Sequence, residues 1–499
     1  MKKISLIALA LLLATSLSAC LTPPPAADGA DTVGEVVTLP PIELPDLTDD
    51  RTFTDLTLYK EQLRDAFAEV EPPLAEVFTY EIGEEGVTIT GYTGGDVVLL
   101  IPDTIEDRPV VAIGEKAFEN KATLRAVSIP DSVRAIGIGA FAGCKSLATL
   151  RTPVFTCLTA PYFGALFGAT SHEANGSAVP GSLSTLLLTA GEAIPDYAFY
   201  ACRGLVNVSL PEELAQIGSF AFYGCQSLAH VATGNTSLAT VGRNAFANCA
   251  SLLTLELPAT VGVMGCGMLE GCGKLEALTL PFAGGYRYGY KPTKAEAEAI
   301  EAGDMVDPAK TTYLGYLFGA TDYTFTAGYL PASLITVTIL EGGGDVSPNA
   351  FFECASLREV ILPADVTAIG RRAFYGCVSL SGMTLPDRVK SIGDDAFHGC
   401  IRLVELHVGA GLESLGVQAF MDCVSLSEVT LPAGVTHLPN AAFSGCASLE
   451  TLTAEGVTSV GKKVFHRCDK LTGWSEGGIP GVPGKPDTPD TTDTTDSAA

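Results

Sequence analysis

Ile392-Gly393-Asp394-Asp395-Ala396-Phe397-His398-Gly399-Cys400-Ile401-Arg402-Leu403-Val404-Glu405-Leu406-His407-Val408 is one copy of a pattern that returns along most of the chain. Its phenylalanine recurs as Phe118, Phe141, Phe199, Phe222, Phe246, Phe351, Phe374, Phe397, Phe420, Phe443 and Phe465, and within uninterrupted stretches the step is 22 to 24 residues. Three residues after all but the first comes cysteine: Cys144, Cys202, Cys225, Cys249, Cys354, Cys377, Cys400, Cys423, Cys446 and Cys468. Leu269 with Cys272 is a variant copy, and neighbouring copies add the Leu-Pro that ends each strand. A unit this short cannot bury its apolar residues alone, so successive units must stack, each strand pairing with the next and equivalent residues forming ladders. Phe, Leu and Ile columns become the core, while the Gly after Ile and the Pro after the strand suit coil corners with unusual backbone angles or no N–H. Eleven Phe units, the Leu269 unit and two odd units at Phe167 and Phe318 predict fourteen coils. The expected fold is a curved right-handed solenoid with a 23-residue period and short β-strands on one face, roughly 65 Å long at a strand spacing of about 4.8 Å.

Outward from the repeats the character changes. Residues 78–111 hold short β-prone runs (Tyr80-Glu81-Ile82, Val87-Thr88-Ile89-Thr90, Val97 to Pro102) that predict a small β-rich N-terminal cap to a solenoid over 112–476. Residues 49–77 carry a helical pattern through Leu56, Tyr59, Leu63 and Phe67, one short helix. Residues 20–48 are Pro-rich and read as a tether, and residues 477–499 are a solvated low-complexity tail. Met1-Lys2-Lys3, the apolar stretch Ile4 to Leu17 and then Ser18-Ala19-Cys20 have the build of a secretory signal. A small pair followed directly by cysteine resembles the bacterial lipobox, which implies a lipid-modified Cys20 as the mature N-terminus, cleavage of residues 1–19 and membrane attachment through acyl chains alone. The expected address is an exported lipoprotein on the cell membrane or outer membrane, exposed at the surface.

Composition narrows the function. Apolar residues make up 47% and charged residues 17% of the 499, the latter below the roughly 25% of ordinary soluble domains, as a stacked core requires. Thirty basic against 57 acidic residues leave a formal charge of -27, a field that repels nucleic acid and anionic headgroups. Eleven of the fourteen cysteines share one repeat position, which predicts a buried column beside the phenylalanines. Without a Cys-x-x-Cys pair or a matching histidine ladder, a metal wire or chained disulfides are the weaker readings and small apolar filler the stronger. Adjacent coils do bring thiols within reach of occasional oxidation. Cys157, off the ladder, is the candidate reactive thiol. His172, His230, His398, His407, His437 and His466 are scattered over several coils and phases. No Gly-x-Ser-x-Gly, His-Glu-x-x-His or phosphate loop is present, so neither catalytic residues, nor a metal, nor a cofactor is expected.

Binding surfaces are the alternative to chemistry. The outward residues of the strands, among them Glu405, His407 and Glu428, form a small, Thr-rich, mildly acidic face. Two interruptions match each other: Tyr162 to Thr170 and Leu314 to Thr321 both read Leu-Phe-Gly-Ala-Thr, and each precedes Pro-x-Ser-Leu at Pro180 and Pro331. They are one variant module used twice, over 151–190 and 282–344. The second carries a cluster of tyrosines and an Ala/Glu-rich helix from Lys294 to Ala302. Tyr286, Arg287, Tyr288, Tyr290, Tyr313, Tyr316 and Tyr323 there are candidate anchors, because exposed tyrosines bring large contact area at low entropy cost; their packing onto the solenoid is the competing reading.

The consensus Ile-Gly-x-x-Ala-Phe-x-x-Cys-x-x-Leu-x-x-Leu-x-Leu-Pro, recurring about a dozen times between Phe78 and Leu471, resembles the BspA-type leucine-rich-repeat bacterial surface proteins. Departures are Lys121 for the first cysteine, Leu269 for one Phe, and the long second insertion. The resemblance implies surface display, and some relatives adhere to host matrix proteins or to other cells. The expected function is therefore a non-catalytic, surface-anchored, adhesin-like binder of an extracellular protein or polysaccharide, with a structural or self-associating envelope protein as the alternative.

Overall fold

The computed structural model describes residues 72–153, 155, 160–233, 237–287, 289, 291–294 and 307–475. The chain divides into two units, Met1–Phe53 and Thr54–Ala499, and all described residues belong to the second. The signal, the tether, the tail, Cys157, Tyr288, Tyr290 and nearly all of the expected helix at 294–302 lie outside the described residues. So does most of the helix expected over 49–77, whose described end is a single 3-10 turn at Ala75–Val77 running straight into a strand.

Five strands open the second unit: β1 (Phe78–Ile82), β2 (Val87–Tyr92), β3 (Val98–Leu100), β4 (Thr104–Ile105) and β5 (Arg108–Ile113). β1 and β2 form an antiparallel hairpin, β2 pairs in parallel with β5, and β5 pairs with Ala135–Ile136 of the next coil. The cap is thus continuous with the repeats. β3 likewise heads the main strand row by pairing with Ala126–Ser128. Fifteen strands follow one another in this row, from β3 to Gly473–Ser475, hydrogen-bonded in runs of six, four, two and three. The coil count is about fifteen rather than fourteen, because the first coil lacks the Phe-x-x-Cys signature. Tyr92 fills its ring position, 5.4 Å from Phe118. Register holds across both interruptions: Leu150 pairs with Leu186 and Leu278 with Val337. A second row of two-residue strands, such as Ala368–Ile369, Ser391–Ile392 and Ser414–Leu415, runs along the Ile-Gly corner.

The core is a set of ladders. Phe351, Phe374, Phe397, Phe420 and Phe443 stack with centroids 5.0 to 5.4 Å apart and planes within 8°, a spacing set by the strand separation of about 4.8 Å. Such ring pairs contribute about 0.5–1.5 kcal/mol each beyond burial. The first variant module keeps the column unbroken by supplying two rings: Phe167 lies 6.4 Å from Phe141, and Phe163 lies 5.0 Å from Phe199.

The glycine after Ile has a different cause from the one expected. Gly218, Gly242, Gly370, Gly393 and Gly416 do not have positive φ. A Cβ on Gly393 would instead lie 2.5 Å from the Arg371 nitrogen, so this corner needs glycine because backbones of successive coils nearly touch. The left-handed backbone sits elsewhere, two residues before Phe and again just before Cys, as at Asp395 and Gly399. The second of these is glycine in half the coils, with Asn120, Asn248 and Asp422 among the substitutes, residues that tolerate that conformation best.

Candidate functional site

Three surfaces of the coil hold the residues singled out above. On the strand row, inward side chains are uniform: Val208, Val231, Leu255, Leu278, Val337, Val360, Met383, Leu406, Val429 and Leu452 are all buried. Their outward neighbours vary from coil to coil. Glu405, His407 and Glu428 are exposed there as expected, with Glu405 beside Gly382, His407 beside Thr384, and Glu428 beside Thr451. Half-burial pushes His230 down from the usual imidazole range. Arg151 is engaged by a bidentate pair to Asp131 at 2.8 and 3.0 Å, and Thr189 donates to the same carboxylate at 2.6 Å.

The second surface is the variant module. Each copy folds as a 3-10 segment (Phe163–Phe167 or Leu314–Phe318), a second 3-10 turn (His172–Ala174 or Tyr323–Phe325) and one α-turn, α1 (Asn175–Ala178) or α2 (Thr326–Tyr329). In the first copy Asn175 is fully buried, accepts from the Gly164 N–H at 2.9 Å and donates to the Ala198 carbonyl at 3.1 Å, tying α1 to its own coil and to the next. In the second, Thr326 holds that place and donates to the Tyr323 carbonyl at 2.7 Å.

Here the expected anchors are corrected. Tyr313 and Tyr316 are buried, at 5% and 9% exposure, and stack edge-on 6.2 Å apart. Tyr313 donates to the Ala320 carbonyl at 2.9 Å, and burial pushes the phenol of Tyr316 up to about 12. They are the module's own core, since its 3-10 segment must bury a face on the solenoid. Tyr323 is half-buried edge-on against Phe352, 5.1 Å between centroids. Tyr286 is half-buried and bridges to Val263, and the Arg287 guanidinium lies 6.0 Å over Phe282. Among its described residues the exposed aromatic side chains of the module are two others, Phe325 at 58% and Tyr329 at 45%. Reading the two copies position by position finds them: they replace Ala174 and Ala178 of the first copy.

The third surface is the outer edge of the Phe turns, where rings that are mostly half-buried stack beside the buried column. One stack joins His172, Tyr197 and Phe220, with Tyr200 on Tyr223 next to it. Another runs Tyr323, Phe352, Tyr375, His398. The second stack ends in charge: His398 lies 3.4 Å from Asp395 and 3.6 Å from Asp422, and Arg372 lies 3.3 Å from Asp395. Both stacks begin on a variant-module residue, His172 or Tyr323, at the same module position.

The cysteine column is structural in this arrangement. Nine of the eleven ladder thiols donate to the carbonyl of the phenylalanine one coil back, as Cys400 to Phe374 and Cys423 to Phe397, both at 3.2 Å, while Cys354, just after the second variant module, lies 3.9 Å from the Phe352 carbonyl. Cys144, Cys225, Cys249, Cys272, Cys377, Cys446 and Cys468 repeat that bond at 3.0 to 3.2 Å. Serine's shorter bond would not reach as far, and alanine would leave the carbonyl with only the cysteine N–H of its own coil, as Phe374 with Cys377 at 3.2 Å. Burial pushes Cys225, Cys272, Cys377 and Cys468 up to about 12, far from the reactive thiolate. All twelve cysteines among the described residues are free thiols, and no cluster of His, Cys, Asp and Glu there is arranged to hold a metal ion.

No curated protein matches the chain. A leucine-rich repeat protein from Bacteroides ovatus is 22% identical, covering 81% of this chain and 94% of its own, with a TM-score of 0.35. A leucine rich cell surface protein from Faecalibacterium prausnitzii is 24% identical, covering 77% and 95%, with a TM-score of 0.34. The pneumococcal vaccine antigen PcpA is 17% identical, covering 80% and 89%, with a TM-score of 0.27. Six copies of the BspA type leucine rich repeat region are recognised, over 109–160, 189–284 and 344–472, and the gaps between them fall on the two variant modules. With more than half its length in those matches, the chain belongs to the BspA-type leucine-rich-repeat family.

Proposed function

We propose that this chain is a non-catalytic, surface-displayed, adhesin-like protein that recognises an extracellular protein or polysaccharide through its solenoid, held at the membrane by lipid on Cys20. The observation that carries this reading is the division of labour along the strand row. Ten buried positions are restricted to Val, Leu and Met while the positions beside them range over Asn207, His230, Thr254, Ala277, Glu359 and Glu405. A scaffold held constant under a varied solvent-facing surface is what an extended binding face needs. Proteins of the BspA type are bacterial cell-surface proteins, and no helix among the described residues is long and apolar enough to cross a membrane. Lipid at Cys20 supplies the anchor in this reading, and Cys20→Ser is expected to release the protein from the membrane fraction.

The test is saturable binding of the full chain to an array of matrix proteins and glycans at physiological salt. A folded chain that binds nothing on the array sinks the proposal. That outcome favours the second reading, self-association in the envelope, which one feature supports: Val378, Ile401 and Val424 follow successive cysteines and lie 36 to 43% exposed as an aliphatic stripe. Sedimentation of the chain alone over a concentration series distinguishes the two.

A further inference from the structure

The two variant modules are an internal comparison. Their backbones carry the same succession of turns, and Asn175 and Thr326 hold the same buried place, yet the second places Phe325 and Tyr329 where the first has Ala174 and Ala178. Neither large side chain is needed to fold the module, since the first copy folds without them. Four apart, at the start and end of a helical turn, the two rings fall on one side of it. The turn faces open space: a Cβ on Gly328, between them, would meet nothing within 4 Å. Among the described Phe and Tyr side chains these two are the most exposed.

Between Lys310 and Glu341 the one charged residue is Asp322, an acid. Asp322 is fixed at the start of the turn, where its Oδ1 accepts from the Thr324 N–H at 3.0 Å and hydroxyl at 2.8 Å, leaving Oδ2 for another donor. The chain as a whole carries -27. Exposed aromatic faces on an acidic chain, with a carboxylate three residues away in the same turn, suit a guanidinium or ammonium group, which stacks on the ring while its N–H groups are drawn to the carboxylate. Resting on the binding function proposed above, we infer that Phe325 and Tyr329 are the anchor of a docking site for a cationic segment of a partner protein, in which Arg or Lys alternates with apolar residues. Aromatic anchors of this type carry a disproportionate share of binding energy at interfaces.

The experiment uses the full chain and a labelled peptide of alternating Arg and Leu, with the matching Glu and Leu peptide as control. Saturable binding of the Arg peptide, weakening with salt, is expected. The combined Phe325→Ala and Tyr329→Ala variant, which recreates the first module's residues, should bind it about tenfold or more weakly at an unchanged melting temperature. Phe325→Tyr with Tyr329→Phe, which keeps both rings, should bind like the parent. Equal binding by the alanine variant, preference for the Glu peptide, or a neutral glycan as the ligand that depends on the pair each overturns the inference. Array binding that persists in the alanine variant overturns it while leaving the proposed function standing; a parent chain that binds nothing on the array overturns that function itself.

Discussion

Gly393 and Gly399 sit in one coil and look alike in the repeat pattern, yet the structure predicts unequal costs for replacing them with alanine. Gly399 has φ +74, and the nearest atom to an added Cβ is the Gly376 Cα at 3.8 Å, so there is room. Gly399→Ala then costs only the left-handed conformation of a non-glycine residue, about 1 kcal/mol. Gly393 is not strained in φ, but its Cβ would lie 2.5 Å from the Arg371 nitrogen, 2.8 Å from the Gly370 carbonyl carbon and 2.9 Å from the Arg371 Cα. None of these backbone atoms can swing away, so the coils must part locally. That weakens the bonds from Gly393 N–H to the Ile369 carbonyl at 2.8 Å and from Arg372 N–H to the Asp394 carbonyl at 2.9 Å. Overpacking and two lengthened hydrogen bonds together cost about 3 kcal/mol. The difference of about 2 kcal/mol is a roughly 30-fold difference in the unfolding equilibrium. Urea denaturation of the full chain, with hydrogen exchange at the amides of residues 392–400 to localise the effect, reads it out. If Gly399→Ala destabilises as much as Gly393→Ala, close backbone approach is not why glycine stands at that corner.

Other outcomes follow from the ladders. Phe397→Leu should cost about 1–2 kcal/mol and Phe397→Ala about 3–5, because leucine keeps the column filled, as Leu269 does in its own coil; thermal melting ranks the two. Asn175→Ala should cost about 1–3 kcal/mol, since it strips the Gly164 N–H of its buried acceptor and leaves the Ala198 carbonyl with the Phe163 N–H alone, and increased exchange confined to residues near 164 would confirm the place. The ladder thiols should resist alkylation in the folded chain and react once it is unfolded. Their folded pKa values lie above the ordinary value near 9, at about 12 for Cys225, Cys272, Cys377 and Cys468. The unfolded chain therefore binds fewer protons between those values, and stability present below about 9 should fall as pH rises toward 12. A Cys377→Ala variant should show a shallower alkaline loss, and an identical slope would argue against that thiol's part in it.

The period, the Phe and Cys columns, the alternation of inward and outward residues and the recurrence of the variant module were all legible in the sequence. Each depends only on a residue's phase within a repeated unit, and a stack in which every coil meets its neighbours in the same way converts phase directly into position. Phe397 is buried for the same reason as Phe374. What escaped that logic needed contacts that the period does not encode. The first coil carries no Phe-x-x-Cys, and only the pairing of β3 and the placement of Tyr92 against Phe118 reveal it. The corner glycines look conformational in sequence and prove steric, because the atom they avoid belongs to the preceding coil. The tyrosines of the second insertion divide according to how its 3-10 segment lies on the solenoid: Tyr313 and Tyr316 turn inward to give the module a core, and Phe325 and Tyr329 are left facing solvent. Composition cannot separate an anchor from a core residue when both are aromatic, because burial in an insertion is decided by the surface it lands on.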